Sequence, residues 1–296
     1  MKICIVGLGL IGGSVARALK KNGSHTVFGM DINDETIKEA LAQEVIDNSI
    51  APQELSICDV VILGLYPEAT IKFVDENAKY FAKGSIVLDT CGIKSAICGH
   101  CEKKLGENGV KFVGCHPMAG RELWGFMASV DNLFDNASFI ICKTENTDDS
   151  AIEVAKSLAN EMGFLRSVIS TPKEHDEVIA YTSQLAHIVS SAYVKSPSLL
   201  RQCGFSAGSF RDLTRVARLN ENMWTSLFML NREPLISEID HVISSLTEYR
   251  DVLRNGDDKK LYELLRDGRI LKEKSNEQNA KVARELEALK KSKENK

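Results

Sequence analysis

The sequence predicts a doubly wound α/β domain on a mostly parallel, Rossmann-type sheet, followed by an all-α C-terminal domain. Short apolar runs alternate with amphipathic helical patterns up to about residue 170, and a glycine-rich turn joins the first run to the first helix. Past Thr171-Pro172 only helical patterns remain.

Taken in order, the strand-like runs are 2–6, 26–30, 60–64, 85–89, 111–114 and 138–142. Helical patterns fall between the earlier ones at 12–22, 34–43, 68–81 and 93–106. A further helix at 149–162 and a strand at 166–169 complete a nucleotide-binding domain expected over 1–171. Helical spacing then covers 174–195, 209–217, 220–254 and 257–274, giving an expected second, all-helical domain over 172–274. Long amphipathic faces of this kind commonly pack on a copy of themselves, so a homodimer is expected. Residues 275–296, rich in Lys, Glu, Asn and Ala, read as a charged tail, either a helical extension or disordered.

Composition narrows the class of partner. A chain of 296 residues has room for two cores, and a net charge of −4 argues against nucleic acid or an anionic membrane as the main partner. The apolar start at 3–13 resembles a signal peptide, but its glycine pattern and the amphipathic helix after it argue otherwise. No run approaches the ~20 apolar residues of a membrane helix. The eight cysteines are scattered rather than framed, so reduced thiols and a cytoplasmic location are expected. Cys98-Gly99-His100-Cys101 has the form of a metal or redox motif. It lies within a helical pattern and lacks a second pair at finger spacing, so no metal is expected.

Gly7-Leu8-Gly9-Leu10-Ile11-Gly12 follows the first strand and opens the first helix, the context that gives a G-x-G-x-x-G pattern its meaning. Gly7 allows the tight turn, Gly9 lets the backbone approach a pyrophosphate, and Gly12 allows close helix–strand packing. The phosphates would rest on the unpaired N–H groups of the helix start, at Leu10 and Ile11. Asp31, about twenty residues on, ends the second strand, where a carboxylate accepts from an adenosine ribose and repels a 2′-phosphate. No arginine follows it (Ile32-Asn33-Asp34), so the expected cofactor is NAD. The segment Asp89-Thr90-Cys91-Gly92-Ile93-Lys94 falls near the nicotinamide end, with Lys94 either binding substrate or capping a helix.

Residues 114–125, Gly-Cys-His-Pro-Met-Ala-Gly-Arg-Glu-Leu-Trp-Gly, place His116 just past a short strand. Ligands bind at the carboxyl ends of strands in open α/β sheets, so this histidine is a candidate for chemistry as well as for a structural role. Pro117 stiffens the loop, and Gly114, Gly120 and Gly125 permit tight or positive-φ turns.

With Thr182-Ser183-Gln184-Leu185-Ala186-His187, and Gly208-Ser209-Phe210-Arg211-Asp212-Leu213-Thr214-Arg215-Val216-Ala217 followed by Met223-Trp224, these segments resemble the TyrA family of prephenate and arogenate dehydrogenases from about residue 2 to residue 270. The helical segments are similar to the family's S-x-L-P-H and G-x-F-x-D-x-T-R-I-A…M-W patterns. The resemblance implies an NAD-dependent oxidative decarboxylation. Hydride leaves C4 of a cyclohexadienol, the ring carboxylate departs as CO2, and the ring becomes aromatic. It implies that His116 accepts the C4 hydroxyl proton, which an unprotonated histidine does near neutral pH. It further implies that Arg215 clamps a substrate carboxylate in a cleft between the domains. His187 becomes a second substrate-site histidine or a helix-packing one, while Asp212 and Trp224 orient Arg215 and shape the pocket. No regulatory ACT domain and no chorismate mutase segment is expected.

Three positions depart from the family pattern. Gly92 stands where a serine hydroxyl is common, Ala186 replaces the proline of the helix motif, and Arg121 replaces a small Thr or Ser. Arg121 is open to three roles: meeting a carboxylate, gating the cleft or lying in solvent. Glu122 would be its neighbour or a polar link across the cleft. Prephenate is the expected substrate. Arogenate is the alternative, and a non-catalytic NAD-binding regulator or a 3-hydroxyacid or pyrroline-reductase type dehydrogenase is more distant.

Overall fold

The computed structural model describes residues 1–121 and 123–294. Its sheet has eight strands: β1 (Lys2–Val6), β2 (Thr26–Met30), β3 (Asn48–Ser49), β4 (Val60–Leu63), β5 (Ile86–Asp89), β6 (Lys111–Pro117), β7 (Ser138–Cys142) and β8 (Arg166–Ser170). They lie in the order β3-β2-β1-β4-β5-β6-β7-β8. Pairing is parallel from β3 to β6, then β7 turns antiparallel to β6, with β8 parallel to β7. A parallel return needs a crossover, usually a helix. Between β6 and β7 the described residues hold only a 3-10 turn, Phe126–Ala128, and the chain comes back reversed.

The strands are apolar along their whole length because helices cover both faces. Alternate residues feed opposite cores. Ile3 and Ile5 pack toward α1 (Leu10–Asn22) and α5 (Asp149–Glu161), whereas Cys4 and Val6 pack toward α3 (Pro67–Asn77) and α4 (Ser95–Gly106). The remaining helix of this half is α2 (Asp34–Ala42), capped by the Asn33 side chain accepting from Glu35 N at 3.0 Å.

One difference from the expected elements matters for the site. β6 runs on to Pro117 instead of stopping at Gly114. Its pairing with β5 ends at Val113, but β7 holds it further and sets His116 opposite Ile140. His116 therefore stands beyond the end of β5 yet on a strand, not on a loop. Gly114 serves close approach rather than a turn, since a Cβ there would lie 2.4 Å from Cys98 Sγ.

After β8 the chain is helical. Thr171 caps α6 (Pro172–Ile179), its hydroxyl accepting from Glu174 N at 3.2 Å. A single π turn, Ala180–Gln184, separates α6 from α7 (Leu185–Tyr193), dividing what the spacing predicts as one helix. There follow α8 (Gly208–Thr214), a 3-10 turn at Arg215–Ala217, α9 (Glu221–Leu230), α10 (Arg232–Asn255) and α11 (Asp258–Glu294). The predicted helix over 220–254 breaks at Asn231, whose side chain donates to Asp176 O at 2.9 Å and to Gln184 Oε1 at 2.8 Å. The chain divides into two compact units, Met1–Arg232 and Glu233–Lys296. In the second, Gly256 (φ +64) turns α10 into α11, and Tyr249 Oη donates to Leu264 O at 3.3 Å. No helix among the described residues is long and apolar enough to cross a membrane.

The most crowded glycine of the first unit is Gly12, where an added Cβ would stand 1.9 Å from Gly7 O. Backbone must move to admit it. Gly12→Ala is expected to lower stability by about 3 kcal/mol, the upper end for overpacking, as read from urea unfolding.

Candidate active site

The carboxyl ends of β1 and β2 form a crevice suited to an anion. Gly7 turns the chain at φ +86, with its own Cβ position blocked by Gly64 O at 2.7 Å. Gly9 caps α1 and differs, since nothing lies within 4 Å of where its Cβ would be. That open cradle faces the first N–H groups of α1, at Leu10 and Ile11, which have no partner within the helix. Asp31 follows β2 directly, its carboxylate accepting from Leu8 N at 2.8 Å and Asn33 N at 2.9 Å. The carboxylate is thus fixed beside the glycine turn, where the ribose of a dinucleotide would reach it. These residues fit the expected cofactor.

Two buried groups support the next part of the site. Asp89 ends β5 with no exposure, accepts from Cys115 N at 2.9 Å and Cys91 N at 3.0 Å, and pairs with the Lys94 ammonium. Burial alone would lower the Lys94 pKa, but the Asp89 charge raises it above the ordinary lysine value. The ammonium is committed to Asp89 below the site, and the Lys94 backbone is the N-cap of α4. The Cys98-x-x-Cys101 pair lies buried on α4, where burial pushes both thiols up, while His100 pairs with Asp75 at 2.8 Å.

His116 is half-buried, and sequence reading missed its neighbours. Its Nδ1 lies 2.9 Å from His175 Nε2, and His175 Nδ1 lies 2.8 Å from Asp176 Oδ1. Asp176 in turn accepts from Lys94 N and Ser95 N, both at 2.7 Å. Burial works against the Asp176 charge, yet these donors hold its pKa below the usual carboxylate value. The available signal was a Glu174-His175-Asp176 run just after a helix cap. Nothing local joins it to a histidine 59 residues earlier.

Gly92 faces this histidine. A Cβ there would lie 3.8 Å from His116 Nε2 and 3.7 Å from Leu227 Cδ2, so α9 covers the same space. His187 on α7 donates from Nδ1 to Ser183 O at 2.9 Å across the π turn, and its ring lies 3.8 Å from that of Trp224 on α9. The turn carrying Arg215 packs against α7, and the Arg215 and Asp212 side chains are exposed. Arg121 is exposed in the loop after β6, and Glu122 lies outside the described residues. The far part of that loop is clipped to α1. Arg17 Nε donates to Ser129 Oγ at 2.8 Å, Val130 N donates to Ser14 Oγ at 3.1 Å, and the Arg17 guanidinium sits 4.8 Å from the Phe126 ring centre.

The family model described as prephenate dehydrogenase, nucleotide-binding domain, matches residues 15–170, and the one described as prephenate dehydrogenase, dimerization domain, matches residues 171–267. A prephenate dehydrogenase of Bacillus subtilis is 31% identical over 290 residues, covering 92% of this chain and 77% of that protein. The structure of prephenate dehydrogenase from Aquifex aeolicus, in complex with hydroxyphenyl propionate and NAD+, superimposes with a TM-score of 0.84 at 27% identity, over 93% of this chain and 98% of that one. A Synechocystis arogenate dehydrogenase structure gives a TM-score of 0.81 at 25% identity, over 93% and 100%.

Burial of the ring holds His116 well below the ordinary histidine value of 6.5, aided by His175 and Lys94 and opposed by Asp176. Below that value the unfolded chain takes up a proton here that the folded chain does not, so stability falls as pH falls. From about pH 6.5 to about pH 5, urea unfolding should show wild type losing stability faster than His116→Asn, by ~1 kcal/mol per pH unit. Equal slopes would remove the depressed histidine.

Proposed function

Because the chain belongs to the prephenate dehydrogenase family, an oxidoreductase family, we propose that it catalyses NAD-dependent oxidative decarboxylation of prephenate to 4-hydroxyphenylpyruvate. The observation that carries this reading is a half-buried His116, held below the ordinary histidine pKa, with its Nε2 3.8 Å from the Cβ position of Gly92. NAD, resting on the glycine turn and Asp31, supplies the hydride acceptor. His116 stays neutral at physiological pH, accepts a hydrogen bond from the C4 hydroxyl, and takes its proton as the carbonyl forms.

Other residues then have definable tasks. Arg215 offers a guanidinium to a substrate carboxylate, and Asp212 orients it. His187, its tautomer set by donation to Ser183 O, and Trp224 form a ring-sized wall. Arg121, exposed in the loop after β6, is open to meeting a substrate carboxylate or gating the cleft. Gly92 leaves His116 a larger share of the hydroxyl's polarisation than a neighbouring serine would. The matched dimerization domain supports a homodimer, as do exposed apolar side chains along α10 and α11 such as Ile243, Leu246 and Leu265. Eight free thiols support a cytoplasmic location.

The test supplies prephenate or arogenate with NAD and follows absorbance of the reduced cofactor. Turnover of prephenate is expected. Turnover of arogenate alone would reassign the substrate, and none with either in folded protein would overturn the reading. His116→Asn should lower kcat by roughly 10²–10⁴-fold with little change in KM, and Arg215→Ala should raise KM while leaving NAD binding intact. A Cβ at position 92 meets only ordinary van der Waals contacts. In a Gly92→Ser background the penalty for His116→Asn should therefore shrink, as a double-mutant cycle would show.

A further inference from the structure

We propose that His175, fixed by Asp176, is the positioning residue that dictates which nitrogen of His116 is the base. The inference rests on the proposed role of His116, but it concerns the protein before any substrate binds.

The direction of every hydrogen bond in the chain follows from its buried end. Lys94 N and Ser95 N are backbone donors, so the Asp176 oxygens they reach at 2.7 Å can only accept. Those donors keep Asp176 ionised, since they outweigh the burial that opposes its charge. His175 Nδ1, 2.8 Å from Asp176 Oδ1, must then carry the hydrogen. A neutral His175 has its lone pair on Nε2, and that nitrogen accepts from His116 Nδ1 at 2.9 Å. His116 is left with its lone pair on Nε2, the ring atom 3.8 Å from the Cβ position of Gly92. An isolated imidazole carries its hydrogen mainly on Nε2, so the chain imposes the opposite choice.

The arrangement also limits where the proton goes. When His116 Nε2 takes the hydroxyl proton, the ring becomes cationic and its Nδ1–H still donates to His175, whose far side rests on the Asp176 charge. Asp176 already accepts three bonds and stays ionised, so it steadies the cation without taking the proton. The proton leaves by the Gly92 side.

The test is nitrogen NMR of the histidine side chains in protein without substrate. The chain has six histidines, and the His116 signals are assigned by their loss in His116→Asn. Wild type should show Nδ1 protonated and Nε2 unprotonated at neutral pH. In His175→Ala the Nε2–H form should appear, with kcat lower by roughly 10²–10⁴-fold and KM within about twofold. His175→Gln, whose amide oxygen can accept from Nδ1–H, should recover part of both signals. A wild-type spectrum with Nε2 protonated would overturn the proposal, as would His175→Ala with wild-type tautomer and kcat. If His175→Ala does not fold, the wild-type spectrum and His175→Gln still decide. The spectra need no substrate, so failure here is separable from failure to turn over prephenate.

Discussion

The N-terminus of α4 is capped from a distance. Its own N-cap, Lys94, makes no side-chain capping bond, and the first backbone N–H groups are met by Asp176, more than eighty residues further along. Hydrogen bonds to a charged group contribute about 1.5–3 kcal/mol each, and they weaken steeply when poorly aligned. The cap therefore ties α6 to the start of α4. Since His175 is the preceding residue, the same bonds fix its ring. Asn231, where α9 and α10 part, adds a third tie by donating to the Asp176 carbonyl.

Beneath this cap lies a second buried carboxylate. Asp89 holds the start of the Gly92 segment through Cys91 N and the strand before His116 through Cys115 N. Burying such a charge is costly, and Lys94 offsets it without reaching the site surface. The two carboxylates grip the short segment from 89 to 95 from both sides. Fixed placement of Gly92 relative to His116 follows from that grip.

Much of the fold was legible because its cause is local. A strand covered on both faces must be apolar throughout, and Ile3 to Val6 show it directly. Gly7 and Gly12 are glycine because backbone atoms occupy the space a side chain would need. The end of β6 was misread, since hydrogen bonding to β7 extends a strand past its apolar run. The break at Asn231 and the π turn escaped for a similar reason, because helical spacing persists across both. His175 and Asp176 escaped entirely. Their role exists only through partners far away in sequence, and an exposed helix start would show the same letters.

The loop between β6 and β7 has two unlike ends. At one, His116 is locked in a strand ladder; at the other, Arg17 and Ser14 of the nucleotide-binding helix hold Ser129 and Val130. Between them Met118, Leu123 and Trp124 are exposed, along with Arg121. A segment moored at both ends, with Met118, Arg121, Leu123 and Trp124 exposed between, separates the heritable fate of its parts. Drift at those exposed positions leaves His116 and α1 where they are. Descendants of one ancestor could thus diverge in what they admit while retaining how they react, and Arg121 has the position of such a divergence.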